Sequence, residues 1–244
     1  MTDVYFVTSG ISEEVQVIKK LRPAHLLCSY WYFKSVPMSL FVERLGYRPE
    51  IMLDSGAYSA FTKKKNVNLL DYMEYIKQNA EYISRYVTLD VIGDSEMTKL
   101  IYSVMVKAGL NPIPVIHYGE NINDVKFYVD VGADKIALGG TVKIKDKSVV
   151  SKWCDEIHEN FPDIPLHLLG SCSSKILKNN SLSSCDSCSW YLMAVNGKPS
   201  YIHGNTREAK IARAEANMVK IIEVFCENPV SFNDCHIKYS NGQV

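Results

Sequence analysis

Three aspartates stand where an apolar run gives way to small or polar residues, a position poor for stability and good for chemistry. Ile51-Met52-Leu53 ends in Asp54, and the following Ser55-Gly56-Ala57 lets the backbone turn tightly against a ligand or another strand. Tyr86-Val87-Thr88-Leu89 leads to Asp90, and Asp186 sits within Ser184-Cys185-Asp186-Ser187. A carboxyl group closed in by apolar neighbours has a raised pKa and can move protons near neutrality. Asp54, beside Gly56 and an apolar strand, fits that task. An ionised carboxylate instead accepts hydrogen bonds or attacks as a nucleophile. His117-Tyr118-Gly119 closes another apolar run, and Gly139-Gly140 closes a further one where a side chain would block approach. Each of these also has a plainer reading. Aspartates after strands cap helices and turns, histidines pack half-buried, and a diglycine makes a tight turn.

The elements that must position these residues alternate regularly. Strands are expected at Val4–Ser9, His25–Trp31, Ile51–Leu53, Tyr86–Ile92, Pro112–Gly119, Lys135–Gly140, Pro165–Gly170 and around Ser184–Trp190. Between them, helical spacing runs over Ser12–Leu21 with Ser12 as N-cap, Met38–Leu45, Asn68–Ile83, Glu96–Lys107, Asn123–Val131, Ser148–Asn160 and finally Arg207–Cys226. Eight strands alternating with helices across short loops predict an α/β fold of the (β/α)8 TIM-barrel type, in one domain covering 1–244. The barrel core is expected over about 3–227, with a loose or edge-packed tail over 228–244. In such a barrel the C-terminal strand ends form the functional face, so Asp54, Asp90, His117, Gly139, Gly140, Gly170 and Asp186 should converge there.

Composition narrows the classes. Of 244 residues, 27 are lysine or arginine and 27 are aspartate or glutamate, so net charge offers no argument for a polyanion. Seven cysteines, an odd count without a basic and apolar leader, fit a reducing cytoplasm rather than a disulfide framework. No apolar run approaches the roughly 20 residues needed to span a bilayer. Cys185-x-x-Cys188 lies within a strand and not at a helix start, and Cys226, Cys235 and His236 match no common zinc spacing; a zinc site is not expected. Lys63-Lys64-Lys65, Lys143, Lys145, Lys147, Lys198, Arg207, Lys210 and Arg213 follow active-face strands, where they would track phosphates or simply be solvated.

Four short segments carry a family resemblance. Leu53-Asp54-Ser55-Gly56-Ala57-Tyr58 looks like the Asp-Ser-Gly-Gly-Phe-Gln segment of tRNA-guanine transglycosylases, and Ile136-Ala137-Leu138-Gly139-Gly140 resembles their Gly-Gly substrate loop. His167-Leu168-Leu169-Gly170 is similar to the segment before their nucleophile strand, and Cys185-Asp186-Ser187 falls where that family has Phe-Asp-Cys-Val. Tyr58, Ser59 and His117-Tyr118-Gly119 depart from the pattern, and the family's Cys-x-Cys-x-x-Cys zinc module is missing. The compact length looks more like the phage and bacterial relatives that place a 7-deazaguanine in DNA.

The resemblance implies a glycosyltransferase that exchanges guanine in a nucleic acid, DNA ahead of tRNA, for a 7-deazaguanine base such as preQ0. Asp186 would trap the sugar as a covalent intermediate, and Asp54 would handle protons on the departing and arriving bases. Asp90 would accept from the guanine edge, with His117, Tyr118, Gly119, Gly139, Gly140, Ser55 and Gly56 around the base. No cofactor is implied, and a homodimer or partner subunit fits the compact chain. The alternatives are a queuosine-type tRNA enzyme and a noncatalytic nucleic-acid-binding barrel.

Overall fold

The computed structural model describes residues 2–173, 176 and 181–225. The tail over 228–244 and the residues Cys226, Cys235 and His236 lie outside them.

Eight parallel strands run in the order β4-β3-β2-β1-β8-β7-β6-β5. They are β1 (Asp3–Thr8), β2 (His25–Ser29), β3 (Glu50–Asp54), β4 (Arg85–Tyr86), β5 (Val115–His117), β6 (Ile136–Gly139), β7 (Leu166–Leu168) and β8 (Ser184–Ser187). A parallel bridge between Val87 and Ile113 joins the two ends of that order. Its bonds run from Ile113 N–H to the Tyr86 carbonyl and from Thr88 N–H to the Ile113 carbonyl, each 2.8 Å. The (β/α)8 architecture is therefore the expected one.

Period-two alternation splits the apolar residues into two cores. Val4 and Phe6 of β1 join the large outer cluster between strands and helices, whereas Tyr5 joins Leu27, Met52, Val87, Ile113, Val115 and Ala137 inside the barrel. The lower interior is polar. Tyr5 Oη donates to Glu50 Oε1 at 2.5 Å, and the His25 ring lies 5.0 Å from the Tyr5 ring, centre to centre. His167 is fully buried there, with Nδ1 2.8 Å from Ser184 Oγ and Nε2 without a partner.

The helices are α1 (Ser12–Leu21), α2 (Tyr30–Phe33), α3 (Met38–Leu45), α4 (Ala57–Thr62), α5 (Leu69–Gln78), α6 (Ser95–Lys107), α7 (Asn123–Asp130), α8 (Lys147–Asn160), α9 (Ser189–Val195) and α10 (Arg207–Phe225). Local differences from the sequence reading have physical causes. Ser12 is the first helical residue and not the cap; the cap position is Ile11, and Ser12 Oγ instead receives Arg207 Nη2 at 2.6 Å. Tyr30 and Trp31, expected in the strand, open α2, and Tyr30 buries its ring 5.0 Å from that of Tyr72. Asp94 and Asp146 cap α6 and α8 by accepting from Met97 N–H and Ser148 N–H, both at 2.9 Å. Arg213, read as a phosphate-tracking candidate, is buried and donates to the carbonyls of Ala194, Ile202 and Gly204. No helix among the described residues is long and apolar enough to cross a membrane.

Candidate active site

β3 delivers Asp54 to the rim because Met52 must face the barrel interior, and the side chain two residues on faces the same way. Its Oδ2 accepts from Gly56 N–H at 2.9 Å, a turn in which Gly56 takes φ +78°. A Cβ on Gly56 would lie 2.7 Å from Trp31 Cβ and 2.9 Å from Trp31 N, so only glycine fits between this turn and α2. Ser29 stands directly beside Asp54 in the β2–β3 register with its Oγ buried, and its hydroxyl favours the ionised form of Asp54. Burial raises the Asp54 carboxyl to about 6, the Asp90 charge adds to the rise, and the Gly56 N–H opposes it.

Asp186 reaches the same rim from β8 and is only 3% exposed. Both of its oxygens accept from Gly170 N–H, at 2.8 and 2.6 Å. Gly170 has φ +71°, and a Cβ there would meet Val142 Cγ2 at 2.7 Å. Burial pushes the Asp186 carboxyl up to about 7, against the Gly170 bond, with a further rise from the charge of Asp54. The charge of Asp90 thus bears on Asp54 and that of Asp54 on Asp186, and both raised carboxyls exchange protons close to neutrality.

Asp90 belongs to a separate polar chain. Its Oδ1 accepts from Ser55 Oγ at 3.2 Å, and its Oδ2 lies 3.0 Å from His117 Nε2. His117 Nδ1 lies 3.2 Å from Glu120 Oε1, while His117 N–H donates to Glu120 Oε2 at 2.8 Å. The three side chains are only 14, 11 and 16% exposed for His117, Asp90 and Glu120. Burial alone would lower the imidazole, but its bonds to Asp90 and Glu120 outweigh that and raise it to about 9, leaving the ring charged at neutral pH. Glu120 was missed in the sequence. A carboxylate three residues after a rim histidine, in the turn before α7, was the available signal.

The remaining candidates are arranged less directly. A Cβ on Gly139 would lie 3.0 Å from His117 Cδ2, so the space the glycine leaves is filled by the imidazole. Gly140 has φ +76°, and its Cβ position is 3.1 Å from Tyr118 N. Tyr118 is exposed and turns its ring to Trp153, 5.4 Å away and T-shaped, while Gly119 is exposed with φ +91°. Lys63 holds its ammonium over the Trp31 and Tyr32 rings at 5.1 and 5.3 Å. Cys185 is buried in the outer core and Cys188 is exposed. Among the described residues, no three His, Cys, Asp or Glu side chains group as a metal site.

Solved structures similar to this chain are (β/α)8-barrel enzymes of small-molecule metabolism. The YdjI aldolase of Escherichia coli K12 has a TM-score of 0.52 at 11% identity, over 92% of this chain and 91% of that one. N-acetylneuraminate lyase of Mycoplasma synoviae gives 0.55 at 12%, over 91% and 81%. Oxaloacetate acetylhydrolase gives 0.51 at 10%, over 90% and 91%. Likeness at such identities shows the fold alone. No protein-family profile matches the sequence, and no curated protein matches it significantly.

These findings correct the family expectation. The similar structures named are an aldolase, a lyase and an acetylhydrolase, not tRNA-guanine transglycosylases, and nothing at sequence level supports the resemblance. The glycosyltransferase activity, guanine exchange in DNA or tRNA, the 7-deazaguanine base and the nucleic-acid partner fall with it, as do the queuosine-type alternative and the nucleic-acid-binding one. No finding speaks for the homodimer or partner subunit. The physical reason lies in turn chemistry. Asp54 with Gly56, Gly140 and Gly170 are what tight strand-to-helix turns of a parallel barrel require, so such motifs recur without common descent.

Proposed function

We propose that this barrel is an enzyme of the lyase kind, working by side-chain acid–base catalysis on a small molecule held at the C-terminal mouth. The observation that carries this reading is the placement of Asp54 on β3 and Asp186 on β8 at one rim, each held by a glycine N–H and raised, to about 6 and about 7, by burial and by a neighbouring carboxylate, Asp90 for Asp54 and Asp54 for Asp186. At neutral pH the lower member is mostly ionised and the higher is about half protonated. Asp54 is therefore the base and Asp186 the acid.

For a β-hydroxy carbonyl compound the steps balance without another reactant. Asp54 removes the hydroxyl proton, the carbon–carbon bond breaks as that oxygen becomes a carbonyl, and the bonding pair moves into the neighbouring carbonyl as an enolate. Asp186 then protonates the enolate carbon. Gly170 N–H holds the Asp186 oxygens in place, and Asp90, fixed by Ser55 and His117, orients the substrate hydroxyl groups. The names of the similar barrels, an aldolase and an N-acetylneuraminate lyase, agree with such chemistry.

The experiment is deuterium exchange in D2O with the full chain and a panel of small hydroxy-carbonyl compounds and 2-oxo acids, followed by proton NMR. Exchange at carbon next to a carbonyl, absent from Asp54→Asn and Asp186→Asn, is the expected result. A panel with no exchange at all, or exchange unchanged in both variants, would remove the reading.

A further inference from the structure

A cavity of about 450 Å3 opens beside the rim, between the loop after β5 and one face of α8. Its size falls in the range of small-molecule sites. Val149, Lys152, Trp153 and Glu156 are spaced three, one and three residues apart on α8, so a single helical face forms one wall. The opposite wall includes Tyr118, whose ring meets Trp153 edge to face at 5.4 Å, and Ile122. The result is an aromatic and aliphatic slot with charge at its border.

Those border charges are unspent. Lys152 and Glu156 are four residues apart on one helix, yet within the described structure neither makes an ion pair, although Lys126 and Asp130 on α7 do pair at the same spacing. Glu120, which also lines the cavity, has both oxygens committed to His117. A ligand entering the slot therefore meets one open cation and one open anion beside two aromatic rings.

We propose that this cleft is a second binding site, for an aromatic zwitterion of amino-acid size. Its carboxylate pairs with Lys152, its ammonium with Glu156, and its ring packs against Tyr118 and Trp153. A molecule with only one of the charges leaves the other side chain unanswered, and a purely aliphatic one forgoes the aromatic contacts. The site is distinct from the carboxylate pair at the mouth and does not depend on the reaction proposed there.

The test is a fluorescence titration of the full chain with L-phenylalanine, excited where only tryptophan absorbs, with Trp153→Phe identifying the Trp153 signal. Phenethylamine and 3-phenylpropanoate serve as single-charge analogues. A saturable change with L-phenylalanine, at least about tenfold weaker with each analogue, is expected from the loss of one charge-assisted bond. In Lys152→Met the advantage over phenethylamine should vanish, and in Glu156→Gln the advantage over 3-phenylpropanoate. Both side chains are exposed, so neither change threatens folding. No saturable response up to the solubility of L-phenylalanine, equal binding of all three compounds, or unchanged preference in both variants would overturn the site.

Discussion

His117 Nε2 lies 3.0 Å from Asp90 Oδ2, and the same ring is held from behind by Glu120, so one imidazolium bridges two carboxylates at the barrel rim. His117 is raised to about 9 in the folded protein, above the ordinary value of 6.5. A raised histidine stabilises fully below its unfolded pKa and loses that contribution as pH rises through the folded one. The stability difference between wild type and His117→Gln should therefore be largest below pH about 6.5 and shrink towards pH about 9, by an amount on the order of 2–3 kcal/mol. Urea midpoints across that interval check it; a difference that stays flat would deny the bridge.

His167 should behave in the opposite sense. Burial first, and then the Lys135 charge, hold it down at about 3. A depressed histidine stays neutral when folded and takes up a proton on unfolding, so stability is full above pH about 6.5 and declines as pH falls towards 3. His167→Gln should lose less stability over that acid interval than wild type, by on the order of a few kcal/mol. Acid-unfolding curves followed by circular dichroism provide the measurement.

Asp186→Asn should trade function for stability. The folded carboxyl sits at about 7 against an ordinary 3.8, so the penalty to the fold is absent below 3.8, grows as pH rises between the two values and is full above about 7. The variant should melt higher than wild type at pH 8, by an amount worth up to about 4 kcal/mol, and show little gain at pH 4. Deuterium exchange should be lost at either pH. A variant less stable than wild type at pH 8 would mean that Asp186 is held there chiefly by attraction.

Gly56→Ala probes the turn that holds Asp54. At φ +78° alanine carries a left-handed penalty, and its Cβ would press on the Trp31 backbone. A loss of about 1–3 kcal/mol from the conformation is expected, with more from the clash. Gly93→Ala is the control, since nothing lies within 4 Å of a Cβ there although φ is +85°. The excess loss at Gly56 over Gly93, read from thermal or urea unfolding, isolates the contact with α2.

The barrel was legible because its signals are local. Apolar runs ending in glycine or aspartate placed six of the strands, with the fourth expected over Tyr86–Ile92 and found at Arg85–Tyr86, and the rim positions of Asp54, Asp90 and Asp186 followed from strand direction. Pairings across the mouth were not legible. Asp90 meets His117 27 residues away, and Asp186 meets Gly170 through the register of β7 and β8, neither of which spacing can show. Glu50, an exposed glutamate that opens β3 and accepts from the buried Tyr5, was hidden for the same reason. The family resemblance failed differently. It rested on short segments at strand ends, where turn chemistry selects Asp and Gly whatever the substrate.

The most direct measurement is a carbon-13 NMR titration of the aspartate carboxyl carbons, with Asp54→Asn and Asp186→Asn to assign the two resonances. Carboxyls titrating at about 6 and about 7 are expected, with the Asp186 value falling when Asp54 is replaced, because the Asp54 charge contributes to its rise. Both resonances titrating at the ordinary carboxyl value of 3.8, independently of one another, would contradict the acid–base pair and the function built on it.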